Sequence, residues 1–418
     1  MKISHVFAFA AAVLTLSCCS KKNNNPQTIF KSQFENFTNP KPASEKPAQD
    51  DFVKEAKLCD LAQKYGFKLG ACISYGQVTR KSYVDMLIGD FNSTTATNEF
   101  KAYSLLDQRK SIEQGIPVMN YHQADSIAKL AREDNIGIRG HVLVWDAYMC
   151  DWFFREGFKT DGLPVSKEIM QERLEYYIDQ VITHFETEFP GVVYCWDVVN
   201  EAVADGPDEW VQDNEYHLRR LRGGNINLFT AIMGTDYVKF AFKCARKTVN
   251  KVNPDIKLFY NDYNTFYPDK RDAIIRLVKH LNAEEKLCDG IGMQGYIGGY
   301  GQQDGCMNDN DLSLIKTAIK MYSDLGIEVQ LTEVAVRNYD ENKISDHAKF
   351  YGKLFRTVIN AINEGANFTG FTIWGIADNP TMPTYDYSYA MNSPFCGLFD
   401  QYYKPKEACR EVYKVLAE

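Results

Sequence analysis

The chain contains the run VVYCWDVVNE at Val192–Glu201, which is apolar and β-branched almost throughout and ends in an amide and a carboxylate. An apolar run without polar alternation is typical of a strand that is covered on both faces, as in a parallel sheet. A second run, EVQLTEVAV at Glu328–Val336, has the same character and carries Glu333 near its end. Because the carboxyl ends of parallel strands meet at one edge, Glu201 and Glu333 are predicted to face each other there.

The rest of the chain alternates between short apolar runs and amphipathic segments. Eight candidate strands are Phe67–Ser74, Asp90–Thr95, Gly137–Trp145, Val192–Asn200, Lys257–Asn261, Asp289–Gln294, Glu328–Val336 and Phe368–Trp374. Helical periodicity is clearest at Ser166–Phe189, Ser345–Glu364 and Pro405–Leu416. Eight strand-then-helix units predict an α/β chain folded as a closed (β/α)8 TIM barrel over residues 53–418, ahead of an open doubly wound sheet.

Composition excludes one class of partner. The 418 residues contain 47 Lys plus Arg and 55 Asp plus Glu, a net charge of −8, with no basic patch of the kind that phosphate backbones select. Nucleic acid is therefore not a predicted partner. An aromatic content of 13% suits a cleft that stacks on sugar rings, although core packing accounts for it equally well.

The amino terminus carries an export pattern. Lys2 is followed by the apolar stretch Ile3–Leu16 and then by a pair of cysteines, which resembles a bacterial lipoprotein signal. Residues 1–19 are predicted to be the signal peptide, with Cys19 the lipidated residue and Cys18 the second choice. Residues 20–52 are polar and Pro-rich and are predicted to be a flexible tether. We expect an exported envelope lipoprotein on the outer membrane, periplasmic or surface-facing, which contacts the membrane only through its anchor; an ordinary secretory signal is the alternative.

No metal and no cofactor is predicted. The nine cysteines beyond Cys19 form no CxxC or Cys/His spacing, and Cys195, inside a strand, is most simply a small buried hydrophobe. The glycine-rich Gly295–Gly301 lacks the ending of a phosphate loop. Asn308–Asp311 lacks the spacing of a calcium loop and is predicted to cap the next helix.

Two acids at strand ends, surrounded by aromatic rings and amides, are what glycoside cleavage needs, since one acid protonates the leaving oxygen while the other attacks the anomeric carbon. The surrounding residues are predicted to be Trp145, Trp196, Trp374, Asn98, Asn200 and Gln294. A single strand-end Glu would more often be structural, so the prediction depends on the pair.

These residues lie in motifs that resemble glycoside hydrolase family 10, the endo-β-1,4-xylanases, over most of residues 60–415. The acid/base motif resembles WDVVNE at Trp196–Glu201, and the nucleophile motif resembles LTE at Leu331–Glu333. Further matches are FNS at 91–93, NEFK at 98–101, RGHVLVW at 139–145, YNDYN at 260–264, DGIGMQ at 289–294 and WG at 374–375.

The resemblance implies a retaining double displacement, with Glu201 as acid/base, Glu333 as nucleophile and Asn200 holding the sugar 2-hydroxyl. The other residues that it places along the substrate are Asn98, Lys101, His141, Trp145, Gln294, Tyr296 and Trp374. The implied substrate is xylan or a related plant cell-wall polysaccharide, and a monomer is expected. Asn98 could instead be a helix cap and His141 a core residue.

The chain departs from the family pattern around the predicted site. Positions where the family has His, Gln, Glu, Trp, His, Asp and Trp are here Asp146, Tyr148, Thr97, Ala102, Tyr296, Ala335 and Met382. The family's His and Asp hold the nucleophile ionised, so their loss at Tyr296 and Ala335 reads as one coordinated replacement. Glu201 is predicted to hold the proton and Glu333 the charge, and the candidate donors that keep Glu333 charged are the Tyr296 hydroxyl and nearby amides such as Asn200 and Gln294. The alternative is that Tyr296 stacks on sugar or packs in the rim.

Two other functions remain open from sequence. One is a related retaining barrel enzyme on a different β-glycan, which the departures favour. The other is a non-catalytic glycan-binding lipoprotein, against which the retention of both Glu201 and Glu333 argues.

Overall fold

Eight parallel strands close into a barrel in the computed structural model, which describes residues 54–297, 307–379 and 393–418. Around the barrel the hydrogen-bonded order is β1-β10-β9-β8-β7-β4-β3-β2, and β5 pairs with β6 in a separate antiparallel ribbon. The strands are β1 Lys68–Ile73, β2 Ser93–Ala96, β3 Gly137–Gly140, β4 Val193–Asn200, β5 Leu221–Arg222, β6 Asn225–Ile226, β7 Lys257–Asp262, β8 Gly290–Ile297, β9 Glu328–Val336 and β10 Phe368–Ile373.

Helices follow the barrel strands and cover their outer faces. Within the described ranges they are α1 Leu58–Gln63, α2 Lys81–Asp90, α3 Ala102–Leu105, α4 Gln108–Gln114, α5 His122–Glu133, α6 Lys167–Glu188, α7 Leu228–Met233, α8 Tyr237–Val252, α9 Pro268–Leu281, α10 Asp309–Ser323, α11 Ile344–Asn363 and α12 Glu407–Ala417. None of these helices is long and apolar enough to span a bilayer. The predicted (β/α)8 barrel is confirmed.

All eight predicted strands are present. Glu328–Val336 has the predicted bounds, β1, β4, β7 and β10 differ by one residue at one or both ends, β8 runs three residues further to Ile297, and β2 starts later and β3 ends earlier than predicted. Asp90 ends α2 and accepts from the Leu58 amide at 3.3 Å, so β2 begins only at Ser93. The third strand leaves the barrel ladder after Gly140. Beyond it the chain still lies along β4, because the amide of Leu143 donates to Asp197 O at 3.0 Å. That course carries residues 141–145 to the carboxyl end of the barrel.

The predicted helices form for the expected reasons. Ser166 caps α6 by accepting from the Ile169 amide at 3.4 Å, and Asn308 caps α10 by accepting from Asn310. The last helix begins at Glu407 rather than Pro405, because Pro405 is bridged to Phe399 instead. The described cysteines are free thiols, and Cys195 is fully buried as predicted.

The β5–β6 ribbon lies in the connection that follows β4. Leu221 pairs with Ile226 and Arg222 with Asn225, which leaves Gly223 and Gly224 as a two-residue turn. Both glycines have positive φ, at 53° and 84°, as the tight turn between two twisted strands requires. The signal peptide, the tether, Met382 and residues 298–301 lie outside the described residues.

Candidate active site

Glu201 is the first residue after β4 and is buried, with a positive φ of 55°. Its two carboxyl oxygens have separate donors. Oε1 accepts from Gln294 Nε2 at 3.0 Å, and Oε2 accepts from Arg222 Nη1 at 2.7 Å. Burial alone would raise the pKa of Glu201, but the Arg222 guanidinium and the Gln294 amide outweigh it, so the pKa lies below its ordinary value.

Glu333 lies inside β9, where the strand carries one extra residue. Gln294 pairs with Thr332 and Tyr296 with Ala335, so three steps along β9 match two along β8. This bulge gives Glu333 a positive φ of 55°, which for a non-glycine residue costs about 1–3 kcal/mol. The direction of the Glu333 side chain is therefore set by this local kink and not by the regular alternation of side chains along a strand.

Three side chains surround the Glu333 carboxyl group. Tyr296 donates its hydroxyl to Oε2 at 2.7 Å, and Asn261 Nδ2 donates to Oε1 at 3.1 Å. His141 Nε2 lies 3.9 Å from Oε1. Burial nevertheless raises the pKa of Glu333 and outweighs the lowering by His141 and by the Tyr296 hydroxyl. The predicted Tyr296 hydrogen bond is present, and Tyr296 faces Ala335 across the ladder.

A chain of amides joins the two carboxyl groups. Gln294 Nε2 also donates to Asn200 Oδ1 at 3.2 Å, and Asn261 Nδ2 donates to the same oxygen at 2.9 Å. Because both contacts are made to Oδ1, they fix the orientation of the Asn200 amide, and Nδ2 points away from Gln294 and Asn261. That nitrogen is buried and has no hydrogen-bond partner among the described residues, so it is available to a ligand.

His141 is held from behind by a buried ion pair. Its Nδ1 lies 2.8 Å from Asp197 Oδ2, and Arg139 pairs with the same oxygen. Burial opposes charge on Asp197, but the Arg139 guanidinium and His141 outweigh it and lower the pKa of the carboxyl group. With Nδ1 facing Asp197, His141 Nε2 is directed at Glu333.

Lys101 forms a second wall of the site. Its Nζ donates to Asn98 Oδ1 at 3.1 Å and lies over the rings of Trp145 and Tyr148, at 5.1 and 4.4 Å from their centroids. Burial lowers the pKa of Lys101 to about 8. Asn98 is not a helix cap, because α3 begins at Ala102.

The aromatic residues divide between site and core. Trp374 is buried with its ring centroid 6.4 Å from that of His141, so it belongs to the site. Trp196 does not, contrary to prediction, since it packs against Phe100 and Phe185 on the outside of β4. Alternation along the strand turns it away from Asp197 and toward α6.

Arg222 was missed from sequence. It extends from the β5–β6 ribbon to Glu201 and is held by Asp146, with Nε at 2.9 Å and Nη2 at 2.7 Å from the two oxygens of that carboxylate. The Gly-Gly pair at 223–224 is a hairpin signal that could have located the ribbon. Asn261 was noted only as part of a motif, with no role.

Two predictions about the carboxyl groups are wrong. Gln294 donates to Glu201 and not to Glu333, and the Asn200 oxygen accepts where a donor to Glu333 was expected. A guanidinium also faces Glu201, which was predicted to hold the proton, whereas a phenol and an amide donate to Glu333, so the directions of the two pKa values do not favour the predicted placement of the proton.

Comparisons with a family model, with curated proteins and with solved structures all find similarity to the same family. The model of glycosyl hydrolase family 10 matches residues 57–415. Endo-1,4-beta-xylanase B of Butyrivibrio fibrisolvens is 33% identical over 75% of this chain and 46% of its own length. Endo-1,4-beta-xylanase A of Thermotoga maritima is 35% identical over 78% of this chain and 28% of its own. This chain thus spans less than half the length of these curated relatives.

A solved structure resembles the whole barrel. It contains the CBM22-1 and GH10 modules of the N-terminal endo-1,4-beta-D-xylanase 10B of Clostridium thermocellum, complexed with xylohexaose. It superimposes with a TM-score of 0.75 at 28% identity and covers 88% of this chain and 69% of that one.

Proposed function

The chain belongs to glycosyl hydrolase family 10, and on that premise we propose that it cleaves internal β-1,4-xylosidic bonds of xylan or a decorated xylan, with retention of anomeric configuration. One observation carries the proposal. Glu201 and Glu333 are both buried and are joined through Gln294, Asn200 and Asn261 by a continuous series of amide contacts. Such a series fixes two carboxyl groups relative to each other, which a binding surface does not need.

The proposed reaction has two displacements. In the first, the Glu333 carboxylate attacks the anomeric carbon, the bond to the leaving oxygen breaks, and Glu201 gives that oxygen its proton. In the second, Glu201 takes a proton from water, the water oxygen attacks the anomeric carbon, and Glu333 leaves as a carboxylate. The free Nδ2 of Asn200 is the donor we assign to the 2-hydroxyl of the sugar.

The remaining predicted residues line the sugar that becomes attached to Glu333. His141 lies against Glu333, while Lys101 with Asn98 and Trp145 with Tyr148 form the wall beside it. Lys101 is positively charged below its lowered pKa of about 8 and supplies a donor for sugar hydroxyls. Trp374, next to His141, completes the apolar boundary on that side. No cofactor enters this scheme.

A different β-glycan is the second candidate. The Asp146–Arg222 pair, which stands where the family pattern has His, supports it because it places a guanidinium beside Glu201. The two candidates make the same bond changes and differ in the sugar that they accept.

Product analysis tests both. The purified chain is incubated with xylan, arabinoxylan, glucuronoxylan and mixed-linkage glucan, and the products are separated by size. Internal cleavage of a xylan with the β-anomer formed first by NMR supports the proposal. An α-anomer formed first contradicts the assigned roles, and cleavage of mixed-linkage glucan alone supports the second candidate.

Azide distinguishes the two glutamates. In Glu201→Ala, azide should attack the glycosyl-enzyme and give a β-glycosyl azide; in Glu333→Ala, it should replace the nucleophile and give the α-azide. Matching products from the two variants would contradict the roles.

We further propose that Cys19 carries a lipid anchor and that the barrel is displayed on a bacterial envelope as a monomer. The support is the apolar run before the cysteine pair and the polar, Pro-rich residues 20–52 that follow it.

A further inference from the structure

The guanidinium of Arg222 is wedged between two carboxylates. Asp146 binds it through Nε and Nη2, and Glu201 accepts from Nη1 at 2.7 Å. Nη2 also lies 3.2 Å from the backbone oxygen of Glu201. Four contacts therefore fix Arg222 against the residue that the proposed function makes the acid/base.

The ribbon that carries Arg222 is itself anchored. Arg219 is buried at its base, where it donates to the backbone oxygens of Glu201 and Val203 and pairs with Glu209 at 2.6 Å. The Gly223–Gly224 turn then returns the chain directly after Arg222. The position of the guanidinium thus follows from backbone contacts as well as from its own ion pairs.

The contacts of Glu201 favour its ionised form on geometry alone. Arg222 and Gln294 Nε2 are both donors, one on each carboxyl oxygen, and a guanidinium has no acceptor atom. The orientation of the Gln294 amide is set by its second acceptor, Asn200 Oδ1. A proton on Glu201 would therefore meet no acceptor at these two contacts.

We propose that Arg222, held by Asp146, is a positioning residue that keeps the Glu201 carboxyl group ionised, so that this enzyme protonates its leaving group efficiently only at acidic pH. The proposal rests on the proposed function, because it needs Glu201 to be the general acid. The lowered pKa of Glu201, in which Arg222 is the largest opposing influence to burial, agrees with it.

Other charges also face Glu201 and do not reverse this effect. They are Arg219 from the ribbon, Lys270 from α9, Lys101 before α3, Asp262 at the end of β7 and Glu333 in β9. Tyr148 and Tyr263 lie in the same field, and burial raises the pKa of both. Arg222 donates directly to a carboxyl oxygen of Glu201, at 2.7 Å.

Arg222 is not a free site for an anionic sugar. Asp146 and Glu201 together bring two negative charges to its one positive charge, at 2.7 Å each. A carboxylate substituent would have to displace one of them. We therefore assign Arg222 to the protonation of Glu201 and not to substrate selection.

The test follows the alkaline limb of kcat/KM on an unactivated xylo-oligosaccharide together with the titration of the Glu201 carboxyl group in the free enzyme by 13C NMR. The NMR titration is needed because two coupled carboxyl groups share the limbs of one rate profile. Arg222→Gln combined with Asp146→Asn removes both charges together. The alkaline limb should move up by about one pH unit or more, the size expected for losing a close opposite charge. Arg220→Gln is the matched control, since the guanidinium of Arg220, directly before β5, donates to the Asp208 backbone oxygen at 3.1 Å instead of a carboxylate.

Two further measurements separate this role from general damage. Asp146→Asn alone leaves the full charge of Arg222 on Glu201, so its alkaline limb should move down. The leaving group of an aryl xylobioside with a strongly acidic phenol needs no proton from Glu201. On that substrate the pH profiles of kcat/KM should therefore show no difference in the alkaline limb between the variants and wild type.

An alkaline limb that stays at the wild-type pH in both variants overturns the inference, and so does a shift of the same sign in both. If the double variant fails to fold, as judged by circular dichroism, the Asp146→Asn limb decides alone. Wild-type enzyme that cleaves no β-glycan would instead defeat the proposed function, before either variant is compared.

Discussion

Glu201 and Glu333 carry the same carboxyl group but are contacted by donors of different charge. A guanidinium reaches Glu201, whereas a phenol and an amide reach Glu333. The direction of each pKa follows, since the Arg222 guanidinium and the Gln294 amide outweigh burial at Glu201, whereas His141, the Tyr296 hydroxyl and Lys101 do not outweigh it at Glu333. The acid limb of activity is therefore expected to lie above the ordinary pKa of a glutamate.

Removing the Tyr296 hydroxyl should move this acid limb to still higher pH. Tyr296 lowers the pKa of Glu333, so Tyr296→Phe should raise it further and move the acid limb of kcat/KM to higher pH. A hydrogen bond to a charged group contributes about 1.5–3 kcal/mol, which predicts a shift of about one to two units and a lower kcat. The measurement is a pH–rate profile.

Tyr322→Phe is the control for Tyr296→Phe, because its hydroxyl donates to the Thr265 backbone oxygen instead of a carboxylate. It should leave the acid limb in place. An acid limb common to wild type and Tyr296→Phe would rule out the donor role.

Local sequence predicted the site residues that strands carry. Asn200 and Glu201 follow from where β4 ends, and Gln294 and Glu333 from lying in the carboxyl-terminal halves of β8 and β9, because a barrel gathers the carboxyl ends of its strands at one face. Arg222 could not be placed in this way, since its side chain crosses from a ribbon to β4. Its partner Asp146 was noticed only as a departure from the family pattern.

At the scale of the element, the bulge in β9 and the close packing of β7 on β8 set the position of Glu333. Apolar runs predicted β8 and β9. The bulge in β9 could not be predicted, because one extra residue in the ladder does not change the apolar pattern of the sequence. The bounds of β2 and β3 failed for a similar reason, because buried apolar residues continue past the ends of their hydrogen-bonded ladders.

Gly292 in β8 offers a test of this packing. A Cβ there would clash with the side chains of Asn261 and Arg139. Because Asn261 donates to both Asn200 and Glu333, Gly292→Ala should lower kcat by about tenfold or more. Overpacking should also destabilise the fold by about 1–3 kcal/mol, measured by urea unfolding.

Gly89→Ala is the matched substitution, because Gly89 lies in α2 and a Cβ there meets no atom within 4 Å. It should stabilise the protein by about 0.5–1 kcal/mol and leave kcat unchanged. Equal kcat values for Gly292→Ala and wild type would show that Asn261 does not need its present position.

At the scale of the whole molecule, a buried histidine links the outer helices to the barrel. His347 on α11 donates Nε2 to Val336 O of β9 at 2.9 Å, and its Nδ1 is buried without a partner among the described residues. Burial, followed by the nearby Lys406, lowers the pKa of His347 from 6.5 to about 3. Protonation would place a buried charge on the ring and a donor at Nδ1, which faces no acceptor in the described part of the chain.

Acid should therefore weaken the fold through His347. Between pH 6.5 and about 3 the unfolded chain binds a proton at this residue that the native state does not, so stability falls as pH decreases. The slope is up to about 1.4 kcal/mol per pH unit. In urea unfolding at several pH values, His347→Gln should show a shallower decline than wild type, and the exposed His122→Gln should not. Parallel curves for wild type and His347→Gln would contradict this account.

The last prediction concerns where the whole barrel is held. If Cys19 is lipidated, the full chain expressed in a bacterial host should sediment with membranes, because acyl chains supply about 0.8 kcal/mol for each buried CH₂ group. Cys18→Ala with Cys19→Ala removes both candidate acceptors and should release the enzyme with its kcat unchanged, since neither residue belongs to the barrel at 53–418. The two single variants identify the acceptor, and Cys150→Ala, a free thiol of the barrel, is the control that should stay membrane-bound. Wild-type protein recovered wholly in the soluble fraction after export would mean that the apolar run before the cysteines acts only as a secretory signal, and residues 20–52 would then have no bilayer to hold the barrel away from.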